Sequence, residues 1–395
     1  MLFRSDDYPN IRDNPSIRLQ TIDVNGLREA AFESRAHRRP LANISFALNY
    51  AADGYRVKWY HVVNVLIHIA NGVLVYFLAL ILLARDQAKG SAGRTPSRRL
   101  WLVALFAAAI FVAHPLQVQA VTYIVQRMTS MATMFYLLSL LLYLLGRRRA
   151  DPNGRSAYWI GALAAWLLAL GAKEIAATLP VVIVVIEWLF YRNPNRPAPG
   201  ISPWLVVFAI VASAGAILLY LGGDPAAAVA AQYQSRDFSP AERILTELRV
   251  LVFYLSLMVV PLPGRLSLEH AFSVSRSLVD PLSTLIAAIV LVALLVVAAR
   301  LVERRSILSL CILWFFITLS VESSFIGLEL VFEHRAQPAL ASEQNPAHRA
   351  VRQVASDAQG FVGTGLVVRK ANGQGLEPFA AAHVAALPPS RSASC

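Results

Sequence analysis

The feature that most constrains this chain is a series of apolar stretches, most of them long enough to cross a lipid bilayer, which takes about 20 mostly apolar residues. Of the 395 residues, 56% are hydrophobic and only 15% are charged, too little charge to cover a soluble protein of this size. We therefore expect an all-α, polytopic integral membrane protein with about eight transmembrane helices and extracytoplasmic loops. The predicted spans are 61–84, 100–113 with an extension to 122, 128–145, 157–171, 174–191, 203–222, 279–299 and 306–320.

Basic residues are concentrated between these spans, in segments 85–99, 147–155, 192–196 and 300–305. Because Lys and Arg mark cytoplasmic loops, the net charge of +12 indicates membrane orientation rather than nucleic-acid binding. With these four segments inside, the extracytoplasmic segments are 1–57, 114–127, 172–174, 223–278 and the residues from 320 onward. This alternation requires the stretch 241–260, which is amphipathic at its start, to make no net crossing. We expect a surface-lying or re-entrant helix there.

Both ends of the chain are unusual. Segment 1–57 is placed outside without a preceding hydrophobic segment that could carry it across. After Arg335 the composition turns to Ala, Pro, Ser, Gln and Gly, which is typical of weakly structured sequence. We expect a truncated reading frame with three parts: a first extracytoplasmic segment 1–57, a transmembrane core 58–335, and a disordered or non-native tail 336–395.

An acidic pair, Asp6-Asp7, lies in the first extracytoplasmic segment. Adjacent carboxylates where a chain leaves a membrane suit a general base that takes a proton from an acceptor hydroxyl. The alternative is two solvated acids in a loop, and the pair by itself favours that alternative.

Further polar groups are predicted on the same outer side. Arg127 can hold a phosphate or anchor the chain at the interface. Lys173-Glu174 occupies a very short outer turn. Ionisable groups at membrane depth are costly and often functional, and the alternative is that at a turn they simply reach water. A third group, Glu333-His334-Arg335, suits a diphosphate, phosphate or sugar, or ends a helix in water. The candidate substrate-binding residues are His114, Gln119, Arg127, Lys173, Glu174, Glu322, Glu333, His334 and Arg335.

A polar stripe in the first predicted span has another interpretation. Asn64, His68 and Asn71 lie at i, i+4 and i+7 on one helix face. Polar side chains inside spans usually form hydrogen bonds to neighbouring helices. We therefore interpret the stripe as packing contacts rather than a ligand site.

The chain lacks the sequence motifs of several enzyme classes. The chain has no HExxH or paired CxxC spacing for zinc, and no Walker, GxSxG or GxGxxG motif. Its two cysteines, Cys311 and Cys395, provide no disulfide framework. We predict no cofactor, and the need for a divalent metal stays open.

Six sequence segments, taken in their order along the chain, resemble those of a known family. They are the acidic pair, Arg39-Pro40-Leu41 through Asn49, His61 through Asn71, His114-Pro115 through Arg127, Ala172-Lys173-Glu174, and Glu322 through Arg335. Together they are similar to the transmembrane-and-tetratricopeptide-repeat O-mannosyltransferases and their bacterial relatives, membrane glycosyltransferases of the C superfamily. The resemblance covers about residues 3–335. Gly327 stands where related sequences have Pro, and no 34-residue repeat follows Arg335.

The resemblance implies a transferase that moves a sugar, with mannose expected, from a polyprenyl-phosphate carrier to Ser or Thr hydroxyls of exported proteins. It implies that Asp6 and Asp7 serve the reaction, and that its partners are the lipid-linked donor, the acceptor protein and membrane lipid. The expected location is the bacterial inner membrane, with the active side extracytoplasmic. Two rival classes remain: a transporter or flippase of lipid-linked sugars, which an inverted repeat would favour, and a non-enzymatic membrane scaffold.

Overall fold

The computed structural model describes residues 3, 7–90, 98–191, 203–222, 224–234, 236–262, 265, 272–302 and 306–324, all within one compact unit, Met1–Ala336. Every regular element in these ranges is helical, which confirms the predicted all-α class. The predicted tail 336–395 lies outside them. The α-helices are α1 (Val24–Phe32), α2 (Pro40–Asp53), α3 (Val57–Gly90), α4 (Arg98–Ala113), α5 (Val118–Thr122), α6 (Arg127–Arg147), α7 (Pro152–Ala172), α8 (Leu179–Ile186), α9 (Pro203–Leu221), α10 (Pro225–Tyr233), α11 (Pro240–Val259), α12 (Leu282–Leu301) and α13 (Ser306–Leu319).

Four described helical segments are long and apolar enough to cross a membrane, and they match four predicted spans. They are Val57–Gln87, Ile124–Arg148, Glu174–Tyr191 and Leu282–Leu301. A fifth span results if Arg99–Ala113 and Pro115–Thr122, which meet at an angle of 51°, form one bent crossing. The predicted count of about eight is therefore not confirmed for the described residues.

The remaining predicted spans correspond to helices that fall short in different ways. The apolar parts of α9 and α13, Val206–Leu218 and Ser306–Leu319, are shorter than 18 residues. Helix α7 has 21 residues but is not among the helices that meet the apolarity requirement. Helix α11, expected to make no net crossing, also fails to qualify as a span. Its first half contains four charged residues, as the sequence Pro-Ala-Glu-Arg-Ile-Leu-Thr-Glu-Leu-Arg shows.

Local sequence signals fix several helix starts. Proline occupies the first turn of α2, α7 and α11, where its missing N–H is not needed. The Asp151 carboxylate accepts the N–H groups of Asn153 and Gly154 at the start of α7. At α11, Ser239 and Glu242 form a reciprocal capping box. The backbone and hydroxyl donors of Ser239 lower the pKa of Glu242.

Helices α3, α4 and α6 are joined by the predicted polar stripe. The Asn64 side chain donates to the backbone carbonyls of Tyr123 and Ile124, both at 3.4 Å. The Asn71 side chain donates to the Ser130 carbonyl at 3.0 Å on α6. His68 Nε2 lies 3.1 Å from a backbone carbonyl oxygen at the end of α4. The stripe therefore serves packing, as its sequence pattern predicted.

The apolar residues separate into an interior and an exposed surface. One interior cluster surrounds α2 and the amino-terminal segment, and another fills the space between α6, α7, α8 and α13. Large apolar side chains also stay exposed, such as Trp101 and Phe106 on α4 and Ile289 on α12. Such a surface is unfavourable in water but suits contact with lipid chains.

Candidate functional site

Asp7 contacts the predicted extracytoplasmic segment 114–127, just before α6. It lies just before a π-helical turn, Tyr8–Arg12, and its side chain is buried. Its Oδ1 accepts the backbone N–H of Val125 at 2.8 Å, in the 3-10 turn Ile124–Gln126 that leads into α6. A carboxylate at a helix start satisfies an unpaired N–H and is stabilised by the helix dipole. Asp6, the other member of the predicted pair, lies outside the described residues.

His114 joins the predicted extracytoplasmic segment 114–127 to α11. Its Nδ1 accepts the N–H of Leu116 at 3.3 Å, so Nε2 carries the proton and donates to the Met258 carbonyl at 3.1 Å. Gln119 lies half-buried on the short helix α5. The contacts give His114 a role in joining two segments, and ligand roles for His114 and Gln119 stay predictions.

Arg127, predicted as a phosphate-binding candidate, is enclosed by protein groups instead. Nε donates to Asn64 Oδ1 at 2.8 Å, and Nη2 donates to Asn49 Oδ1 at 2.8 Å and to the Tyr60 carbonyl at 2.9 Å. Nη1 donates to the Ser45 carbonyl at 3.2 Å.

The rings of Phe46 and Tyr60 lie 4.8 and 5.4 Å from the Arg127 guanidinium carbon, close enough for cation–π attraction. Because the side chain is fully buried and four of its five N–H groups serve α2 and α3, the geometry favours a structural role. It does not favour the phosphate role.

Two ion pairs surround the predicted turn between α7 and α8. Glu174 accepts from Arg39 through both carboxylate oxygens, at 2.9 and 3.3 Å. The Lys173 ammonium donates to Glu322 Oε1 at 2.8 Å and to Thr129 Oγ1 at 3.2 Å. Lys173, Glu174 and Glu322 are all buried. We call Arg39, Thr129, Lys173, Glu174 and Glu322 the Lys173 cluster.

A third buried charge pair holds the segment that carries Glu322. Arg243 on α11 is fully buried and donates through Nη2 to the Glu322 carbonyl and through Nε to the Ser324 carbonyl, both at 2.9 Å. The same guanidinium lies 3.0 Å from the Glu247 carboxylate. Cations and carboxylates are therefore matched in number across the three pairs, which lowers the cost of burying them.

Described parts of all five predicted extracytoplasmic segments thus lie at one end of the helices. Asp7 and Lys173 contact residues within one helical turn of each other, Val125 and Thr129, and Arg243 completes the set through Glu322. The predicted site residues Glu333, His334 and Arg335 lie outside the described residues.

A different charged cluster lies at the opposite end of the same helices. The Glu187 carboxylate accepts from the Arg147 guanidinium at 2.8 and 3.0 Å and from the Tyr143 hydroxyl at 2.9 Å. The Tyr191 ring has the guanidinium carbons of Arg85 and Arg147 at 4.7 and 4.9 Å. The first residues of two predicted cytoplasmic segments, 85–99 and 147–155, therefore lie together.

Sequence reasoning missed Arg243 as a site residue, although a signal was present. Arg243 and Glu247 are four residues apart, in line with the buried Val250 and Leu257 of α11. A charged pair on the apolar face of a helix predicts a buried ion pair. For Asn49 and Thr129 no such signal exists, because their partners come from distant parts of the chain.

The part of the chain that the structure describes contains no candidate metal site built from His, Cys, Asp or Glu side chains. Within it, no group of three or more His, Cys, Asp or Glu side chains comes together. The prediction of no cofactor remains a prediction.

Comparison with known proteins gives no family model and no solved structure that matches, but it does give curated relatives. Protein O-mannosyl-transferase Tmtc2 of Drosophila melanogaster is 31% identical over 229 residues, which are 56% of this chain and 23% of the relative. Tmtc3 of the same organism is 30% identical over 210 residues, covering 49% and 22%.

Human protein O-mannosyl-transferase TMTC4 is 30% identical over 173 residues, 40% of this chain and 22% of the relative. These similarities confirm the predicted resemblance to the transmembrane-and-tetratricopeptide-repeat O-mannosyltransferases. The match spans less than a quarter of the length of each of these relatives.

Proposed function

We propose that this chain is a membrane glycosyltransferase that moves mannose from a polyprenyl-phosphate carrier to Ser or Thr hydroxyls of exported proteins. The observation that carries the proposal is the similarity to relatives named protein O-mannosyl-transferases. The gathering of Asp7 and the Lys173 cluster at one end of the helices supports it. The names of the relatives favour a transferase over a flippase of lipid-linked sugars.

In the proposed reaction, Asp7 or Asp6 acts as general base. A carboxylate takes the proton of the acceptor hydroxyl as its oxygen attacks the anomeric carbon of the sugar. The bond between that carbon and the phosphate oxygen breaks, and the polyprenyl phosphate leaves with the bonding electrons, so the anomeric centre is inverted. Asp7 already accepts the Val125 N–H in the turn Ile124–Gln126, just before α6, which limits its movement during the step.

The charge that develops on the leaving phosphate needs a cation nearby. Lys173 is our candidate, because it lies in a turn at the end of two helices and its ammonium is oriented by Thr129 and Glu322. Arg127 is not included, because its guanidinium is enclosed by α2 and α3. Arg335 remains a candidate from the sequence alone.

The proposed orientation puts the Lys173 cluster on the extracytoplasmic face of a bacterial inner membrane. Lys and Arg are enriched in cytoplasmic loops, and the other end of the helices holds Arg85 and Arg147, the first residues of the basic segments 85–99 and 147–155. Nucleotide sugars are not expected outside the cytoplasm, so a lipid-borne donor suits the opposite end.

The experiment is a mannose-transfer assay in proteoliposomes with undecaprenyl-phosphate-linked radiolabelled mannose and a Ser/Thr-rich peptide. Replacing a general base should lower transfer by about 10²-fold or more, so we expect this loss for Asp7→Asn or Asp6→Asn. The amide introduced by Asp7→Asn keeps an oxygen that can accept the Val125 N–H, so the fold should survive.

Asp13→Asn is the matched control, because Asp13 lies on the same segment and is exposed. Unchanged transfer by both the Asp6 and Asp7 variants would overturn the base assignment. A wild-type protein that moves the labelled lipid across the bilayer but labels no peptide would support the flippase instead.

A further inference from the structure

The Lys173 cluster depends on a segment that has no regular structure of its own to hold it. Residues 321–324 follow the end of α13 as turns, yet they must present the Glu322 carboxylate to Lys173. Among the described residues, the contacts that hold this segment from outside include two hydrogen bonds from Arg243.

Arg243 is well suited to hold a backbone segment. Its guanidinium donates to two carbonyl groups two residues apart, Glu322 and Ser324, both at 2.9 Å. The planar fork of a guanidinium fixes both carbonyls at once, which a lysine ammonium does not reproduce. Glu247, one turn further along α11, places a carboxylate 3.0 Å from the same guanidinium and offsets its buried charge.

The position of Glu322 determines the direction of the Lys173 ammonium. The Lys173 side chain is only 4% exposed and its Nζ lies 2.8 Å from Glu322 Oε1, and a buried polar group needs such a partner. The long lysine side chain also loses conformational freedom when it is held in place. The contacts with Glu322 and Thr129 therefore hold the ammonium in one direction before a phosphate arrives.

We propose that Arg243 is a positioning residue for the transferase site, acting on Lys173 through segment 321–324 and the Glu322 carboxylate that it carries. This inference rests on the proposed function only where it takes Lys173 as the cation for the lipid phosphate. In this proposal Arg243 acts through Glu322 and Lys173 and takes no part in the reaction itself. It sets the affinity of Lys173 for a phosphate.

A chemical cross-link measures how closely Lys173 and Glu322 are held together, and it does so without an assay of sugar transfer. A hydrophobic carbodiimide joins an amine and a carboxylate that are in contact, and mass spectrometry detects the Lys173–Glu322 isopeptide. We expect the product in wild type, none in Glu322→Gln, and about tenfold less in Arg243→Met, as expected for coupled neighbours. Arg249→Met is the matched control, because Arg249 lies on the same helix but donates to Ser273. Its yield should equal that of wild type.

Binding of undecaprenyl phosphate to the purified protein measures the functional consequence. Arg243→Met should weaken binding about tenfold when Lys173 is present and leave it unchanged in a Lys173→Met background. If Arg243→Met folds poorly, Arg243→Lys takes its place. This variant keeps the charge beside Glu247 but reaches only one carbonyl, so we expect intermediate values.

Equal losses on both backgrounds would show a merely structural role and overturn the proposal. A cross-link yield that does not depend on Arg243 would also overturn it, whatever the activity. If wild type transfers no mannose while the cross-link still requires Arg243, the proposed function fails and the positioning of Lys173 stands.

Discussion

A substitution at Arg127 distinguishes phosphate binding, which its sequence position predicts, from the structural role that its contacts favour. The perturbation is Arg127→Met, which keeps much of the side-chain length and removes every donor. It leaves four acceptors without their partner: the side chains of Asn49 and Asn64 and the carbonyls of Ser45 and Tyr60.

The magnitude follows from these four hydrogen bonds. Side-chain hydrogen bonds between membrane helices average about 0.6 kcal/mol each, and bonds to charged groups in proteins contribute about 1.5 kcal/mol or more, so four of them give roughly 2–6 kcal/mol. Removing the guanidinium also removes the cost of burying it, which favours the lower part of the range. We expect Arg127→Met to lower the free energy of unfolding by about 2–4 kcal/mol.

The assay is unfolding in detergent followed by tryptophan fluorescence. The matched control is Arg56→Met, since the Arg56 side chain is 78% exposed and pairs with Asp53 on the surface. We expect that control to change stability by less than about 1 kcal/mol. If Arg127→Met unfolds like Arg56→Met but loses undecaprenyl phosphate binding, Arg127 is a phosphate ligand and our structural interpretation is wrong.

Two further predictions concern helix packing and the opposite end of the helices. A Cβ at Gly72 on α3 would lie 2.5 Å from Val112 Cγ2, so Gly72→Ala should destabilise the protein by about 1–3 kcal/mol in the same unfolding assay. Gly215→Ala, where the added Cβ would meet no atom within 4 Å beyond the adjacent backbone of its own helix, should be neutral or slightly stabilising. Glu187→Gln removes the counter-ion of the half-exposed Arg147 and should cost about 1 kcal/mol. It should leave the KM for the lipid-linked donor unchanged, whereas a raised KM would place the donor at that end.

The sequence predicted the long helices well because their signal is local. Four predicted spans agree with the observed ones to within about four residues at each end. The polar stripe of Asn64, His68 and Asn71 was also correctly interpreted, because helical spacing alone puts these side chains on one face. The predicted count of about eight spans is not confirmed for the described residues, because helices such as α7, α9 and α13 are of borderline length or apolarity.

The candidate site was predictable as a region but not as a set of contacts. Charge alternation assigned Asp7, Lys173 and Glu322 to one end, and the structure brings them there. Charge alternation could not indicate that Arg127 would donate hydrogen bonds to α2, or that Arg243 would donate them to the segment around Glu322. Those contacts join residues about 80 positions apart, and only the packed fold determines them.

The central claim is that charged groups from distant segments converge at one extracytoplasmic end, where the sugar is transferred. Single cysteines at positions 13, 237 and 153, in a protein without Cys311 and Cys395, test it with a membrane-impermeant thiol reagent. All three positions are exposed. We expect labelling at 13 and 237 in intact cells, and at 153 only after the membrane is permeabilised. Labelling of 13 and 153 from the same side would contradict the account.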